Sequence, residues 1–286
     1  MPQKLSPIIK PQELVFLAEM QPLVIVDASA GPGVKEKYAA KHLAGALRAD
    51  LETQLANVPA NAANGGRHPL PEPAQFAEVL KQLGIGPDSH VVIYDDKNGA
   101  NAAARFWWML KAIGHAKVQV LDGGMDAAEK AGFPVSSQEE VPAAADTFYE
   151  TLQWVLPMAD IEEVKTVAED EAFLVIDVRD KDRFDGKTEP IDLIAGHIPG
   201  ATNIPFATNL DADGFYKSPA DLREKYTEAL NGRAPEQVIV HCGSGVTACH
   251  TLLAMDYADM EIPKLYVGSW SEWSRNDLPM ITLEKD

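Results

Sequence analysis

The chain writes one plan twice, and that repetition limits what it can fold into more than any other feature. "LVIVDAS" (23–29) is answered by "FLVIDVRD" (173–180), each an apolar run closed by an aspartate, Asp27 and Asp177. "KHLAGALRAD" (41–50) is answered by "GHIPGATNIP" (196–205), "HVVIYDD" (90–96) by "QVIVHCG" (237–243), and "VQVLDGG" (118–124) by "PKLYVGSWSEW" (263–273). The four offsets are 150, 155, 147 and 145 residues, so spacing as well as composition is repeated. A fixed-period repeat of this length marks a duplicated structural unit. Short β-branched runs bounded by Gly, Pro and Asp alternate with longer helical patterns, such as "ARFWWMLKAIG" (104–114) and "TACHTLLAMDYADM" (247–260). That alternation predicts an α/β protein of two tandem domains, each a mostly parallel sheet flanked by helices. The expected division is a first domain over 1–141, a polar, Pro-containing linker over 142–155 and a second domain over 156–286. The stretch 56–75, rich in Pro, Gly and Asn, is expected as a long loop over a site.

Composition narrows the class. With 25 Lys plus Arg against 43 Asp plus Glu, the formal charge is −18, and no basic patch interleaved with aromatics relieves it. Nucleic acid and anionic membrane are therefore unexpected partners, and an anionic substrate would need a local group of cations. No apolar run is long enough to span a bilayer. The opening "MPQKLSPIIKPQELV" lacks the apolar core of a secretory signal, and two cysteines in 286 residues make no disulfide framework. The expectation is a cytoplasmic protein with free thiols. The seven histidines, at 42, 68, 90, 115, 197, 241 and 250, show no ligand spacing, so neither a metal nor another cofactor is expected. A duplicated chain already holds an interdomain interface, which favours a monomer.

The chemistry-bearing stretch is "IVHCGSGVTACHTLLA" (239–254). Cys242 stands where a strand ends and a glycine-rich turn leads into a helix. The free amides at that helix start favour a thiolate or a bound anion, with Gly243, Gly245, Val246 and Thr247 supplying backbone and Ser244 and Thr247 hydroxyls. A buried, inert thiol under the turn is the alternative reading of the same residues. Cys249, two turns into the helix, is expected in the core. Cysteine-based phosphate hydrolysis needs an arginine six residues after the nucleophile, where this chain has Ala248.

The loop "CGSGVTA" (242–248), together with "GHIPGA" (196–201), "VLDGG" (120–124) and "GSWSEW" (268–273), resembles the two-domain rhodanese-like sulfurtransferases. The loop is more similar to the 3-mercaptopyruvate branch than to the thiosulfate branch, whose loop carries Arg and Lys after the cysteine. The resemblance implies two tandem rhodanese-like domains, of which only the second is catalytic, with Asp95 at the first domain's cysteine position. It implies a ping-pong reaction without a cofactor: Cys242 takes a sulfur from a small anionic donor as a persulfide and gives it to a thiol, thioredoxin or cyanide. Thiosulfate transfer by the same cysteine, and a non-catalytic interaction module, are the competing readings.

Residue by residue, the resemblance implies Arg183 as a ligand of the donor anion, with Arg179 either a second contact or a structural ion pair. It implies a proton relay from Ser244 to His68, in "GRHPLP", and on to Glu52 or Asp50 in "RADLE". Arg67, next to His68, could add charge to the cleft. The sequence departs from the branch at one point: where a second arginine follows in an "EPR"-like segment, this chain has Ile191 and Asp192 in "TEPIDLIAGH". One donor clamp is missing there or is supplied from elsewhere. Trp270 and Trp273 are expected as packing around the site, and Trp107 and Trp108 as helix core.

Overall fold

The structure, a computed structural model, describes residues 5–143, 147–149 and 153–282. The chain divides into two compact units. One comprises Met1–Leu55, Pro71–Val155 and Gly214–Tyr216; the other comprises Ala56–Leu70, Leu156–Asp213 and Lys217–Asp286. The expected linker, 142–155, includes 144–146 and 150–152, which lie outside the described residues.

In the first unit the strands are β1 (Ile8–Ile9), β2 (Val24–Asp27), β3 (His42–Leu43), β4 (Ala46–Arg48), β5 (Val91–Tyr94), β6 (Val118–Leu121) and β7 (Val135–Ser136). Five form a parallel sheet in the order β1-β6-β5-β2-β4, and β3 pairs antiparallel with β7 as a separate ribbon. The helices are α1 (Pro11–Met20), α2 (Val34–Ala40), α3 (Pro73–Gln82), α4 (Ala102–Ala112) and α5 (Gly124–Lys130). Central strands buried on both faces read as unbroken apolar runs, as "VVIY" does here. Trp107 and Trp108 of α4 are fully buried, so the expectation of helix core holds.

The second unit repeats the plan. Its strands are β8 (Met158–Ala159), β9 (Leu174–Asp177), β10 (Thr202–Asn203), β11 (Val238–His241) and β12 (Lys264–Tyr266), all parallel in the order β8-β12-β11-β9-β10. That is the first sheet's order, strand for strand. Its helices are α6 (Ile161–Val167), α7 (Lys181–Phe184), α8 (Pro219–Leu230), α9 (Ala248–Tyr257) and α10 (Ser269–Trp273). Local signals set their ends: Ser218 accepts from the Asp221 amide to start α8, Pro219 takes its first position, and Asn231 ends it in the left-handed region at φ 47°. The β9–β11 register puts Asp177 opposite His241, one residue before Cys242. The sheet thus delivers the cysteine and a buried carboxylate to the same edge, where loops of a parallel sheet gather ligands.

Among the described residues, no helix is long and apolar enough to cross a membrane. Likewise, no group of three or more His, Cys, Asp or Glu is placed to hold a metal ion.

The turn in "GHIPGA" shows how tightly the second unit is closed. Gly200 has φ +78°, and a Cβ there would lie 2.0 Å from the Ala168 carbonyl oxygen. Gly232, also left-handed at φ +80°, has nothing within 4 Å of that position. Gly232→Ala should therefore cost about 1–2 kcal/mol, the backbone term alone. Gly200→Ala should cost about 3 kcal/mol or more, because backbone must also move. Equal costs by urea denaturation of the two variants would contradict this packing.

Candidate active site

β11 ends at His241, and the chain turns through Cys242–Thr247 before α9 begins at Ala248. The turn needs glycine at 245: φ is +72°, and a Cβ would sit 2.5 Å from the Val267 carbonyl oxygen. The same turn is docked on the start of α10. The Trp270 amide donates to the Cys242 carbonyl at 3.1 Å, the Ser271 amide to the Gly243 carbonyl at 2.9 Å, and the Cys242 amide to Ser269 Oγ at 3.2 Å. "GSWSEW" is thus the bed on which the cysteine loop lies. Trp270 and Trp273 are buried there, and Trp270 Nε1 donates to the Ile194 carbonyl at 2.8 Å.

Cys242 is 3% exposed, and Cys249, fully buried, donates its thiol to the Gly245 carbonyl at 3.3 Å. Two residues beyond Cys242, Ser244 Oγ shares a 2.7 Å hydrogen bond with His68 Nδ1, and both side chains are buried. His68 reaches the loop because 56–70 belongs to the second unit. This segment is pinned to α10: the Arg67 amide donates to Ser271 Oγ at 3.0 Å, the Gly65 amide to Glu272 Oε1 at 2.8 Å, and Asn276 Nδ2 to the Ala63 carbonyl at 2.9 Å. Gly66 allows the approach, since a Cβ there would be 2.3 Å from the Gly268 carbonyl oxygen.

Four arginines and three carboxylates lie behind the loop. Arg179 is buried, giving Nε and Nη2 to Asp177, Nη2 also to the Gly196 carbonyl at 2.6 Å, and Nη1 to Glu189 at 3.3 Å. Its guanidinium also lies 4.7 Å from the Trp270 ring centre. Arg183 pairs with Glu189 at 2.7 Å and Asp192 at 3.3 Å. Asp192, whose side chain is fully buried, also receives Arg67 Nε and Arg275 Nη1, each at 3.1 Å. Burial pushes the Glu189 carboxyl up, but Arg183 and the amides of Asp192 and Ile191 outweigh it and hold it below the usual range. Burial likewise pushes Asp177 up, and His241 and Arg179 hold it down. His241, wholly buried, is pushed down by desolvation against the pull of Asp177.

The structure therefore brings Cys242, Gly243, Ser244, Gly245, Val246, Thr247, His68, Arg179 and Arg183 into one unit. It places Asp50 and Glu52 in the other. There Asp50 accepts from Arg48 Nη2 at 2.8 Å and caps the turn through the Glu52 and Thr53 amides. Three residues of the arginine cluster were not legible as such. Asp192 is a hub where the sequence suggests only a missing arginine, Glu189 holds two arginines, and nothing in "WSRND" signals Arg275.

The first unit has the counterpart turn. Asp95 ends its strand and accepts four backbone amides, from Lys97, Gly99, Asn101 and Ala103, at 2.9–3.0 Å. Burial outweighs the four donors and holds this carboxyl above its usual range.

Comparison with known proteins agrees with this architecture. The profile of the family described as "Rhodanese-like domain" matches residues 10–131 and 160–276. A probable 3-mercaptopyruvate sulfurtransferase of Pseudomonas aeruginosa is 40% identical over 237 residues, 82% of each chain. Bovine thiosulfate sulfurtransferase is 38% identical over 259 residues, 88% of this chain and 84% of the relative. The solved 3-mercaptopyruvate sulfurtransferase of Leishmania major superposes with a TM-score of 0.77 at 30% identity, covering 96% of this chain and 75% of that one.

Arg179→Met should cost about 3–5 kcal/mol at neutral pH, because it takes the arginine from buried Asp177, while Glu189 keeps Arg183. The sign with pH follows from Asp177. A carboxyl depressed by folding adds stability above its unfolded pKa, and that stability is lost as pH falls through the lower folded value. Without Arg179 the folded value rises, so the acid loss of stability should begin at higher pH. Urea melts of both proteins from pH 7 to pH 3 test this; an unshifted acid limb would contradict it.

Proposed function

This chain belongs to the rhodanese-like domain family and is related over most of its length to sulfurtransferase enzymes, and from that premise we propose that it moves a sulfane sulfur from 3-mercaptopyruvate through a Cys242 persulfide to a thiol, thioredoxin or cyanide. In this reading it works as a monomer with its chemistry in the second domain (156–286), the first (1–141) being non-catalytic and joined by 142–155.

The thiolate of Cys242 attacks the donor's sulfur. A sulfur–sulfur bond forms, the donor's carbon–sulfur bond breaks, and the electron pair passes to the enolate of pyruvate, which takes up a proton. The acceptor thiolate or cyanide then attacks the outer sulfur and returns Cys242 to a thiolate. The protein replaces one difficult transfer by two easier ones. Support for the thiolate comes from the turn into α9, whose leading amides and positive helix end favour an anion. The first unit supports it by analogy, since its counterpart turn aims four amides at the side chain in the cysteine position. Arg183 supplies a guanidinium for the donor's carboxylate.

The observation that carries the choice of donor is the 2.7 Å Ser244–His68 hydrogen bond in the cysteine's own loop. Leaving pyruvate enolate needs a proton, which a Ser–His pair can deliver, whereas leaving sulfite does not. The relationship to bovine thiosulfate sulfurtransferase keeps thiosulfate as the second reading. Asp50 and Glu52 remain candidates for the relay's acid; their contacts within the first unit do not supply that role.

Steady-state kinetics with both donors separate the readings. Mercaptopyruvate should have the higher kcat/KM. Ser244→Ala and His68→Gln should lower its turnover about a hundredfold while leaving thiosulfate turnover nearly unchanged. A wild-type preference for thiosulfate, with both variants slowing the two donors equally, assigns the site to thiosulfate instead.

A further inference from the structure

Arg67 stands closer to the cysteine loop than any ion pair requires. From the point where a Gly243 Cβ would lie, its Nη2 is 3.1 Å away and that of Arg183 is 3.4 Å away. Residue 243 has no side chain, so two guanidinium groups come up against the backbone of the residue that follows Cys242, with Asp192 Oδ2, which both of them bind, 3.5 Å from the same point. Arg67 is aimed there by Asp192, which takes its Nε at 3.1 Å and, at longer range, its Nη2 at 3.5 Å. Those contacts use two of the guanidinium's five donors. Asp192 is in turn fixed by Arg183 and Arg275 and has no exposure of its own, so the carboxylate is a rigid pivot.

The charges of the cluster do not cancel. Arg67, Arg179, Arg183 and Arg275 face Asp177, Glu189 and Asp192, leaving one positive charge in excess within a chain of net charge −18. The side chain of Arg67 is 26% exposed, against 16% for Arg275, 13% for Arg183 and 1% for Arg179. Arg67 is thus the arginine most open to a molecule arriving from solvent, and Arg179 is closed to one.

We infer that Arg67, positioned by Asp192, is a donor-binding residue that grips the carboxylate of an incoming monoanion together with Arg183. The inference rests on the sulfurtransferase reading for its substrate. It gives Asp192 a purpose: a buried carboxylate gathers Arg67 and Arg275 from two other segments beside Arg183. Arg67 keeps Nη1 and one Nη2 donor for a planar two-nitrogen grip, while Arg183, whose Nε and Nη2 are on Glu189 and Asp192, adds its Nη1; the fork would also orient the donor, which a point charge would not.

The test uses a pair of electrophiles of similar size that attack Cys242 directly, iodoacetate with a carboxylate and iodoacetamide without one. Site-resolved mass spectrometry gives the rate at Cys242 for each, and the ratio is normalised to that of free cysteine. In wild type the ratio should favour iodoacetate. Arg67→Gln should lower it about tenfold by removing charge-assisted hydrogen bonds, with the iodoacetamide rate unchanged. Arg67→Lys should fall between, keeping charge without the fork. In steady state, Arg67→Gln should raise KM for mercaptopyruvate and leave kcat nearly unaltered. A ratio unmoved by Arg67→Gln, an equal slowing of both reagents, or a Cys242 that neither reagent reaches overturns the inference. Because alkylation needs no sulfur transfer, a protein that takes sulfur from no donor would sink the proposed activity while the ratio still decides Arg67.

Discussion

The docking of the 242–247 turn onto the start of α10 is the constraint on which the second unit's site depends. Three hydrogen bonds join Cys242 and Gly243 to Ser269, Trp270 and Ser271, and Gly245 lies so close to Val267 that no side chain fits. Once that bed is fixed, the rest follows in order. Ser271 receives the Arg67 amide and Glu272 the Gly65 amide, so the 56–70 segment is drawn in and His68 meets Ser244. Arg67 then meets Asp192, and Arg275, one turn past Ser271, donates to the same carboxylate oxygen.

The two units show what divergence did to one plan. Strand order is the same in both, and Asp95 stands where Cys242 stands. In the first unit the turn's amides are saturated by the chain's own carboxylate. In the second unit Cys242 follows the matching strand, so that turn holds a thiol where the first holds a carboxylate. A second divergence lies at the neighbouring strand end. Asp177 is bound by Arg179, whereas the equivalent position beside Asp27 is Ser29, which donates only its amide, at 2.8 Å. The arginine cluster therefore belongs to one unit and is not a property of the fold.

How much of this was legible follows from where the information sits. The central strands were readable because burial on both faces demands apolar runs: "LVID", "VIVH" and "VVIY" all became strands. The two-residue edge strands β1 and β8, and the β3–β7 ribbon, were not read, since two residues show no period. Cys242 and its glycines announce themselves locally. The Ser244–His68 contact spans 176 positions and was accessible only through family resemblance. Asp192 shows the limit: its neighbours in sequence say only that an arginine is missing there or supplied from elsewhere, while its neighbours in space are three arginines. Charge pairing across a fold leaves no trace in spacing. Asp50 and Glu52 rested on alignment alone, and the structure gives Asp50 an evident local duty as a turn cap.

The central claim is that sulfur passes through Cys242 and no other atom of the chain. A single-turnover reaction of the protein with 3-mercaptopyruvate, quenched and digested for peptide mass mapping, addresses it most directly. The expected result is one added sulfur, located on the peptide bearing Cys242, with one pyruvate released for each and the sulfur removed by cyanide. Sulfur found on Cys249, or pyruvate released with no sulfur on either cysteine, would contradict it.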